Sequence, residues 1–369
     1  MLRIEIETIW RFHTEDSPQT IVVMLGILNE IRRTGKLTSA ATHAQLSYRH
    51  VWNLVEQWSD FFGVPLVETH RGKGTKLTEF GEKLVWAGQR TEARLGPQLE
   101  NLAQELATEI KPFLRTGPAV IRVHASHGFA VPKLRELLDQ TPGIAIDLRY
   151  VSNQNSLASL AQGACDMAGV HLPRGELRRQ NIEASKKWLD AREHRIISFV
   201  TREMGLIVKR GNPLDIESVS DITEKQARFV NRDHDSGTRL LFDQLLKLNK
   251  IDETRINGLK QIEFTHAAVA AYVASDMADV SFGVEAAARQ FGLDFIRLLT
   301  EDYIFVCRRS FLETEPMQRL LDVVKGPAFR EAVASLPGYR AVKIGEVSTV
   351  KDFLDSVERV PVTSRKRRN

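Results

Sequence analysis

The chain has 369 residues, 43% of them hydrophobic and 27% charged, and a formal net charge of +4. That length exceeds one ordinary core, so two or three domains are expected, and the composition excludes a disordered or fibrous chain. No apolar run is long enough to span a bilayer, and the first residues, MLRIEIETIWRFH, alternate apolar with charged side chains, unlike a secretory signal.

Cys165 and Cys307 stand far apart without metal-ligand spacing, so a cytoplasmic protein with no structural metal, cofactor or membrane partner is expected. The opening IEIETIWRF is strand-like. From residue 21 to 31 apolar residues recur at helical spacing, and the run stops at Gly35 after Arg32 and Arg33, as for a helix with a basic last turn and a glycine terminator.

Next comes LTSAATHAQLSYRHVWNLVEQWSDFFG. It predicts a short helix over 39–44, a tight turn at Gln45 and Leu46, and a longer helix capped by Ser47. Ala40 and Ala41 permit close helix crossing, while Val51, Leu54, Val55, Trp58 and Phe62 make the buried stripe of the longer helix. This is a helix-turn-helix pattern, whose second helix presents Tyr48, Arg49, His50 and Asn53 near its outer first turn. Arginine pairs with guanine edges and asparagine with adenine edges, so these four, with Ser39 and Ser47, are the candidate duplex contacts.

After Pro65, PLVETHRGKGTKLTEFGEKLVWAG reads as strand, basic turn, strand and a helix opened by Thr78. Such a wing sets Arg71, Lys73 and Lys76 against phosphates, which gives position without sequence information. A helical hairpin with a solvated loop is the competing description.

Residues 20–90 resemble the winged helix-turn-helix of LysR-type regulators and, more closely, of the molybdate-responsive ModE regulators, where segments like SYRHVW and RGKGTKLTEFGEKL occur in this order. The resemblance implies double-stranded DNA as a partner and a homodimer or homotetramer. It also implies that the helix after the wing, about 78–114, pairs two chains. Leu84, Leu95, Leu99, Leu102 and Leu106 fit that pairing, and equally a helix buried within one chain.

Gly117-Pro118 ends the linker. Strand-like runs at 120–123, 144–150, 167–170, 205–208 and 278–282 then alternate with amphipathic helices, which is α/β architecture with ligands expected at strand carboxyl ends. Ser126 and His127, His171, Asn231 and Arg232, and Ser281 are expected just past such ends. Each alone reads as a turn or cap residue; together they point at one cleft.

The segment NRDHDSGTRLLF starts a helix near Ser236. Its first turn offers unpaired backbone N–H groups and a positive dipole end, Gly237 lets a ligand approach, Ser236 and Thr238 add hydroxyls, and Arg232 and Arg239 add cations. A plain cap by Asp235 or Ser236, with solvated arginines, is the alternative. So many cations call either for a highly charged ligand, such as a phosphorylated pterin, or for acids such as Asp235 and Glu301 as partners.

From about 118 to 310 the chain resembles the periplasmic-binding-protein-like domain found behind helix-turn-helix modules, on ASHGF, CDMAGVHL, TREMGLIVKRGNP, FVNRDHDSGTRLLFDQLL, HAAVAAYVASDMADVSFGVEAAA and LDFIRLLTEDYIF. The resemblance implies a two-lobed type II α/β fold and ligand-binding roles for Ser126, His127, Arg202, Asn231, Arg232, Ser236, Gly237, Thr238 and Arg239, with His171 and His266 in support. Two departures alter the pocket: Gly128 follows Ser126-His127 where relatives read Ser-His-Asp, and Asp235 replaces the glycine that commonly precedes Ser-Gly-Thr.

The expected organisation is a winged helix-turn-helix over 1–80, a linker helix over 81–116, an effector domain over 117–350 with its second lobe at about 199–300, and a segment over 351–369 with a basic tail. The resemblances imply a non-enzymatic regulator that senses molybdate or tungstate, a molybdenum-cofactor species or a small carboxylate such as formate, and controls molybdoenzyme genes such as those of formate dehydrogenase. An enzyme or binding protein acting on a molybdopterin-type ligand competes with it, as does a DNA-binding protein with a vestigial cleft. Against the enzyme, the sequence holds no nucleophile elbow, metal-ligand cluster or dinucleotide fingerprint.

Overall fold

The computed structural model describes residues 4–13, 18–70, 74–110 and 119–353. Arg71 and Lys73, the 111–118 end of the linker and the basic tail lie outside the described residues. The chain divides into two compact units, one of residues 6–96 and one formed by 97–369 with residues 1–5.

In the first unit, strands β1 (Arg11–His13) and β2 (Pro18–Thr20) pair antiparallel ahead of helices α1 (Val22–Thr34), α2 (Leu37–Ala44) and α3 (Tyr48–Phe62). The strand expected over IEIETIWRF is shorter: only Arg11–His13 finds partners, because the answering strand has three residues. Gly35 ends α1 in the left-handed region, and Gln45 ends α2 the same way. Ser47 caps α3, its hydroxyl accepting from the His50 N–H at 3.2 Å.

The wing follows as β3 (Val67–His70) and β4 (Gly74–Leu77), paired antiparallel, and then α4 (Glu79–Ile110), whose first turn is capped by Thr78. Gly74 has φ +84°, and a β-carbon there would stand 2.6 Å from the Gly35 carbonyl oxygen, so glycine is what lets the wing close on α1. Ile21, Met24, Ile27, Leu28, Val51, Val55 and Trp58 form the core, against which Phe12, Phe61, Phe62 and Phe80 pack edge to face.

The second unit is built on one long mixed sheet. Its elements in order are β5 (Ala119–Ala125), α5 (Ala130–Asp139), β6 (Ile144–Tyr150), α6 (Asn153–Ala161), β7 (Met167–Pro173), α7 (Arg178–Lys186), β8 (His194–Val208), α8 (Val219–Glu224), β9 (Phe229–Arg232), α9 (Gly237–Leu248), β10 (Ile262–Glu263), α10 (His266–Ala274), β11 (Val280–Val284), α11 (Glu285–Gln290) and β12 (Asp294–Arg308). Helices α12 (Arg309–Leu312), α13 (Glu315–Lys325) and α14 (Pro327–Ala334) and short strands β13 (Tyr339–Arg340) and β14 (Val347–Thr349) complete it.

Strand order is β10-β9-β11-β8-β12-β7-β5-β6. At one end β5, β6 and β7 run parallel; at the other, β9, β10 and β11 do. Between them β8 and β12, of fifteen residues each, run antiparallel from Asp294 opposite Val208 to Arg308 opposite His194. Two parallel α/β lobes therefore share a pair of crossing strands, the two-lobed architecture expected.

Local strand assignments differ in two ways. The run expected at 205–208 is the end of the much longer β8, and His171, Asn231, Arg232 and Ser281, expected just past strand ends, lie inside β7, β9 and β11. Each of these strands continues through its polar residue because a neighbouring strand pairs with it there: Tyr303 opposite His171, Ile262 and Glu263 opposite Asn231 and Arg232, and Ile207 and Val230 on either side of Ser281. No described helix is long and apolar enough to cross a membrane.

Candidate functional site

Two surfaces carry the candidate residues. On the first unit, the Ser47 cap fixes the start of α3, and the turn that follows holds Tyr48, Arg49 and His50 exposed, with Asn53 one turn on, also exposed. The opposite side of α3, through Val51, Val55 and Trp58, is buried, so the polar face is held outward by packing. Ser39 is half-buried in α2, and Lys76 is exposed on β4.

The second surface is in the α/β unit and is built by both lobes. From the first lobe, Ser126, just after β5, places its Oγ 2.7 Å from His171 Nδ1 on β7. Asn153, the first residue of α6, braces both: its Oδ1 accepts from the His171 N–H at 3.3 Å and lies 3.4 Å from Ser126 Oγ, while its Nδ2 donates to the His171 carbonyl. The His171 ring stacks on Tyr303 of β12 with centroids 3.8 Å apart, and His127 packs against Tyr150.

From the second lobe, Asn231 and Arg232 end β9. Arg232 Nη2 donates to the Phe264 carbonyl at 2.8 Å, and its nearest ion pair is Asp233 at 3.8 Å. Ser236 caps α9, its hydroxyl accepting from the Thr238 N–H, and Thr238 Oγ1 lies 3.4 Å from His266 Nε2 at the start of α10. Gly237 faces the other lobe: a β-carbon on it would stand 3.3 Å from Asn153 Nδ2.

The crossing strands place Arg202 between the lobes. Its Nε donates to Glu301 Oε2 of β12 at 2.8 Å, its Nη2 forms an ion pair with the same oxygen at 2.7 Å, and its Nη1 comes within 3.7 Å of a β-carbon position at Gly128. Burial and the neighbouring Arg232 push the His127 imidazole down to about 4. Burial, with the fields of Arg202 and Arg232, holds His171 and His266 neutral well below the ordinary range, and burial brings Arg232 itself down to about 10. His266 feels Arg232, Arg202, His127 and His171 together, so the four belong to one electrostatic cluster.

Several buried polar atoms of this cluster find no hydrogen-bond partner among the described residues: Arg202 Nη1, Arg232 Nε and Nη1, Asn231 Nδ2, the Tyr303 hydroxyl, and one ring nitrogen each on His127, His171 and His266. Leaving such groups unpaired costs free energy, so a set of them concentrated in one place marks a surface shaped for a ligand rich in acceptors.

Residues 134–325, more than half of the chain, match the profile of the PBP superfamily domain. The chain belongs to that superfamily. Residues 23–82 match the bacterial regulatory helix-turn-helix protein, lysR family. Three relatives are similar to the chain. YvgK of Bacillus subtilis, an uncharacterized protein, is 30% identical over 54% of this chain and 64% of its own length. The HTH-type transcriptional activator CmpR of Synechocystis is 26% identical over 60% of this chain and 66% of its own. The molybdenum-pterin-binding protein MopB of Rhodobacter capsulatus is 30% identical over 25% of this chain and 35% of its own. In each case this PBP-superfamily chain spans less than two thirds of the relative's length.

Among the sequence-derived residues, Ser126, His127, His171, Arg202, Asn231, Arg232, Thr238 and His266 thus come together, with Ser236 and Gly237 at the α9 start beside them. Arg239 is buried but pairs with Asp243 at 2.8 Å, one turn along its own helix. Ser281 donates to the Val230 carbonyl between neighbouring strands. Of the acids expected to partner arginines, Glu301 does so, whereas Asp235 is exposed and Asp233 and Asp243 take the places beside Arg232 and Arg239. Sequence reading missed Asn153, Tyr150 and Tyr303. Asn153 carries a signal in retrospect, since it opens a helix immediately after the Ser152 cap.

Proposed function

We propose that this chain is a cytoplasmic transcriptional regulator that binds double-stranded DNA through its winged helix-turn-helix as a homodimer or homotetramer, and whose affinity for DNA is set by a small anion held between the lobes of its effector domain. One observation carries the effector reading: Arg202, Arg232, His171 and His266 are buried in one place beside the half-buried His127, with acceptor-seeking atoms left over. Among the described residues only Asp233, partly exposed and 3.8 Å away, is ion-paired with the buried Arg232, so an anion in the cleft would add a closer counter-charge in a desolvated setting.

The α3 face bearing Tyr48, Arg49, His50 and Asn53 supports base reading, with Arg71, Lys73 and Lys76 of the wing serving phosphates. On α4, Leu102, Leu106 and Ile110 recur every fourth residue and are 46, 37 and 39% exposed, the pattern of a helix that pairs with a second copy. The ligand reading comprises molybdate or tungstate, a molybdenum-cofactor species or a small carboxylate such as formate, with molybdoenzyme genes such as those of formate dehydrogenase as targets. The similarity to a molybdenum-pterin-binding protein over a quarter of the chain is consistent with it.

A ligand shifts DNA binding only by binding the two states unequally, with coupling of about 1–3 kcal/mol. Footprinting of the chain on its own upstream region, with and without each anion, tests the proposal. A footprint that changes with one of them supports it. DNA affinity indifferent to all of them, while the anions bind, leaves the duplex reading and removes the sensor.

A further inference from the structure

The unpartnered atoms of the cleft also bear on which anion it takes. Four of them can only donate: Arg202 Nη1, Arg232 Nε, Arg232 Nη1 and Asn231 Nδ2. The Tyr303 hydroxyl donates as well, and His127, His171 and His266 each bring one ring nitrogen that donates in the appropriate tautomer. All of these residues but the half-buried His127 are more than nine-tenths buried.

A carboxylate has two oxygens and roughly four lone-pair sites, so the donor-only atoms alone would saturate it and the phenol and imidazoles would stay unserved. Four oxygens on one centre offer about twice as many sites, directed to the corners of a tetrahedron and not confined to a plane. Arg232 and Asn231 come from the end of β9, Arg202 from β8, Tyr303 from β12, His171 from β7, His127 from the turn after β5 and His266 from α10. They approach from both lobes and from the crossing strands, which suits a compact, many-sided acceptor better than a flat one.

Glu301 already answers Arg202, and the acids nearest Arg232 are Asp233, at 3.8 Å and partly exposed, and its buried strand neighbour Glu263. Three imidazoles stand in the field of these arginines, and a bound anion opposes that field, which favours a ligand of higher negative charge.

Resting on the anion-sensing reading above, we infer that the cleft is selective for a tetrahedral oxyanion over a small carboxylate, with Tyr303 and the imidazoles supplying donors that a carboxylate leaves unused. Molybdate, tungstate, sulfate and phosphate share this chemistry, and formate and acetate represent the rejected class.

Calorimetric titration of the full chain at pH 7 with each of these six salts decides the matter. At least one tetrahedral oxyanion binds more than tenfold tighter than formate and acetate. Tyr303→Phe, which keeps the ring stacked on His171, weakens the oxyanion about tenfold, the value of one hydrogen bond to a charged group, and leaves formate unchanged. Asn231→Asp, which sets a carboxylate where the amide stood, weakens it further. Formate or acetate binding as tightly as every oxyanion overturns the selectivity while sparing the anion sensor, and so does native oxyanion affinity in a folded Tyr303→Phe protein. No binding by any salt overturns both.

Discussion

Arg202 of β8 and Glu301 of β12 face each other across the crossing strands, and both are 3% exposed. A hydrogen bond from Nε and an ion-pair contact from Nη2 meet on one carboxylate oxygen, and the pair holds the arginine charged despite its burial. Removing one partner of such a pair strands the other charge in a poor solvent. Glu301→Gln is therefore expected to lower stability by about 3–5 kcal/mol, read as a fall in the urea midpoint at unchanged slope. A loss within experimental error would mean that Arg202 finds another acceptor in the cleft.

The DNA-reading face separates sequence recognition from simple attraction. Arg49 is exposed in the first turn of α3, where a base edge is within reach of a long side chain. Arg49→Ala should cost about 1–3 kcal/mol on the specific site and much less on random duplex. Lys76→Ala, on the exposed face of the wing, should weaken both to a similar degree and flatten the salt dependence. Gel-shift titrations at two salt concentrations distinguish the two behaviours, and equal losses for Arg49→Ala on both duplexes would remove its reading role.

Protons test the histidine cluster. In the unfolded chain His127 titrates near its ordinary 6.5, but in the fold burial and Arg232 lower it to about 4, and His171 and His266 are lowered too. Between those values the unfolded state binds more protons, so stability falls as pH drops from about 6.5 towards 4 and is level above that window. Urea midpoints measured from pH 7.5 to 4.5 check this. A variant carrying His127→Gln should show a shallower decline, and an identical pH profile would place the loss elsewhere.

The helix pairing is testable through Leu102 and Leu106. Both are exposed on α4 and one turn apart, so they cost nothing to the chain's own core if changed. Leu102→Glu with Leu106→Glu is expected to shift the protein towards monomer in sedimentation experiments without lowering its melting temperature by more than a few degrees. A native assembly state in this double variant would move the pairing surface away from α4.

How much of this was legible in the sequence depended on whether a signal was local. The helix-turn-helix could be read because Gly35, Ser47 and Thr78 punctuate apolar periods within a few residues, and each does cap or end a helix. The crossing strands could not. Both β8 and β12 carry a polar centre, Thr201-Arg202-Glu203 and Thr300-Glu301-Asp302, that breaks an apolar run when read alone. The centres answer one another across the sheet, Glu301 opposite Arg202 and Thr300 opposite Glu203, in register partners about a hundred residues apart. Asn153 was missed for the same reason: its partners Ser126 and His171 lie on other elements.

Closure of the two lobes gives the last test. Gly237 opens α9, and a β-carbon at that position would press to 3.3 Å on Asn153 Nδ2, the group that braces Ser126 and His171. The helix itself would tolerate or favour a larger residue there, since alanine exceeds glycine in helix propensity by up to about 1 kcal/mol. Gly237→Val should therefore leave thermal stability near its native value while weakening anion binding about tenfold or more, because the side chain must push Asn153 aside before the lobes meet. Calorimetry with the tightest-binding anion, alongside a melting curve, separates the two effects. Unaltered affinity in Gly237→Val would show that the Gly237–Asn153 approach is not part of the liganded arrangement, whereas a joint loss of stability and affinity would assign the glycine to folding.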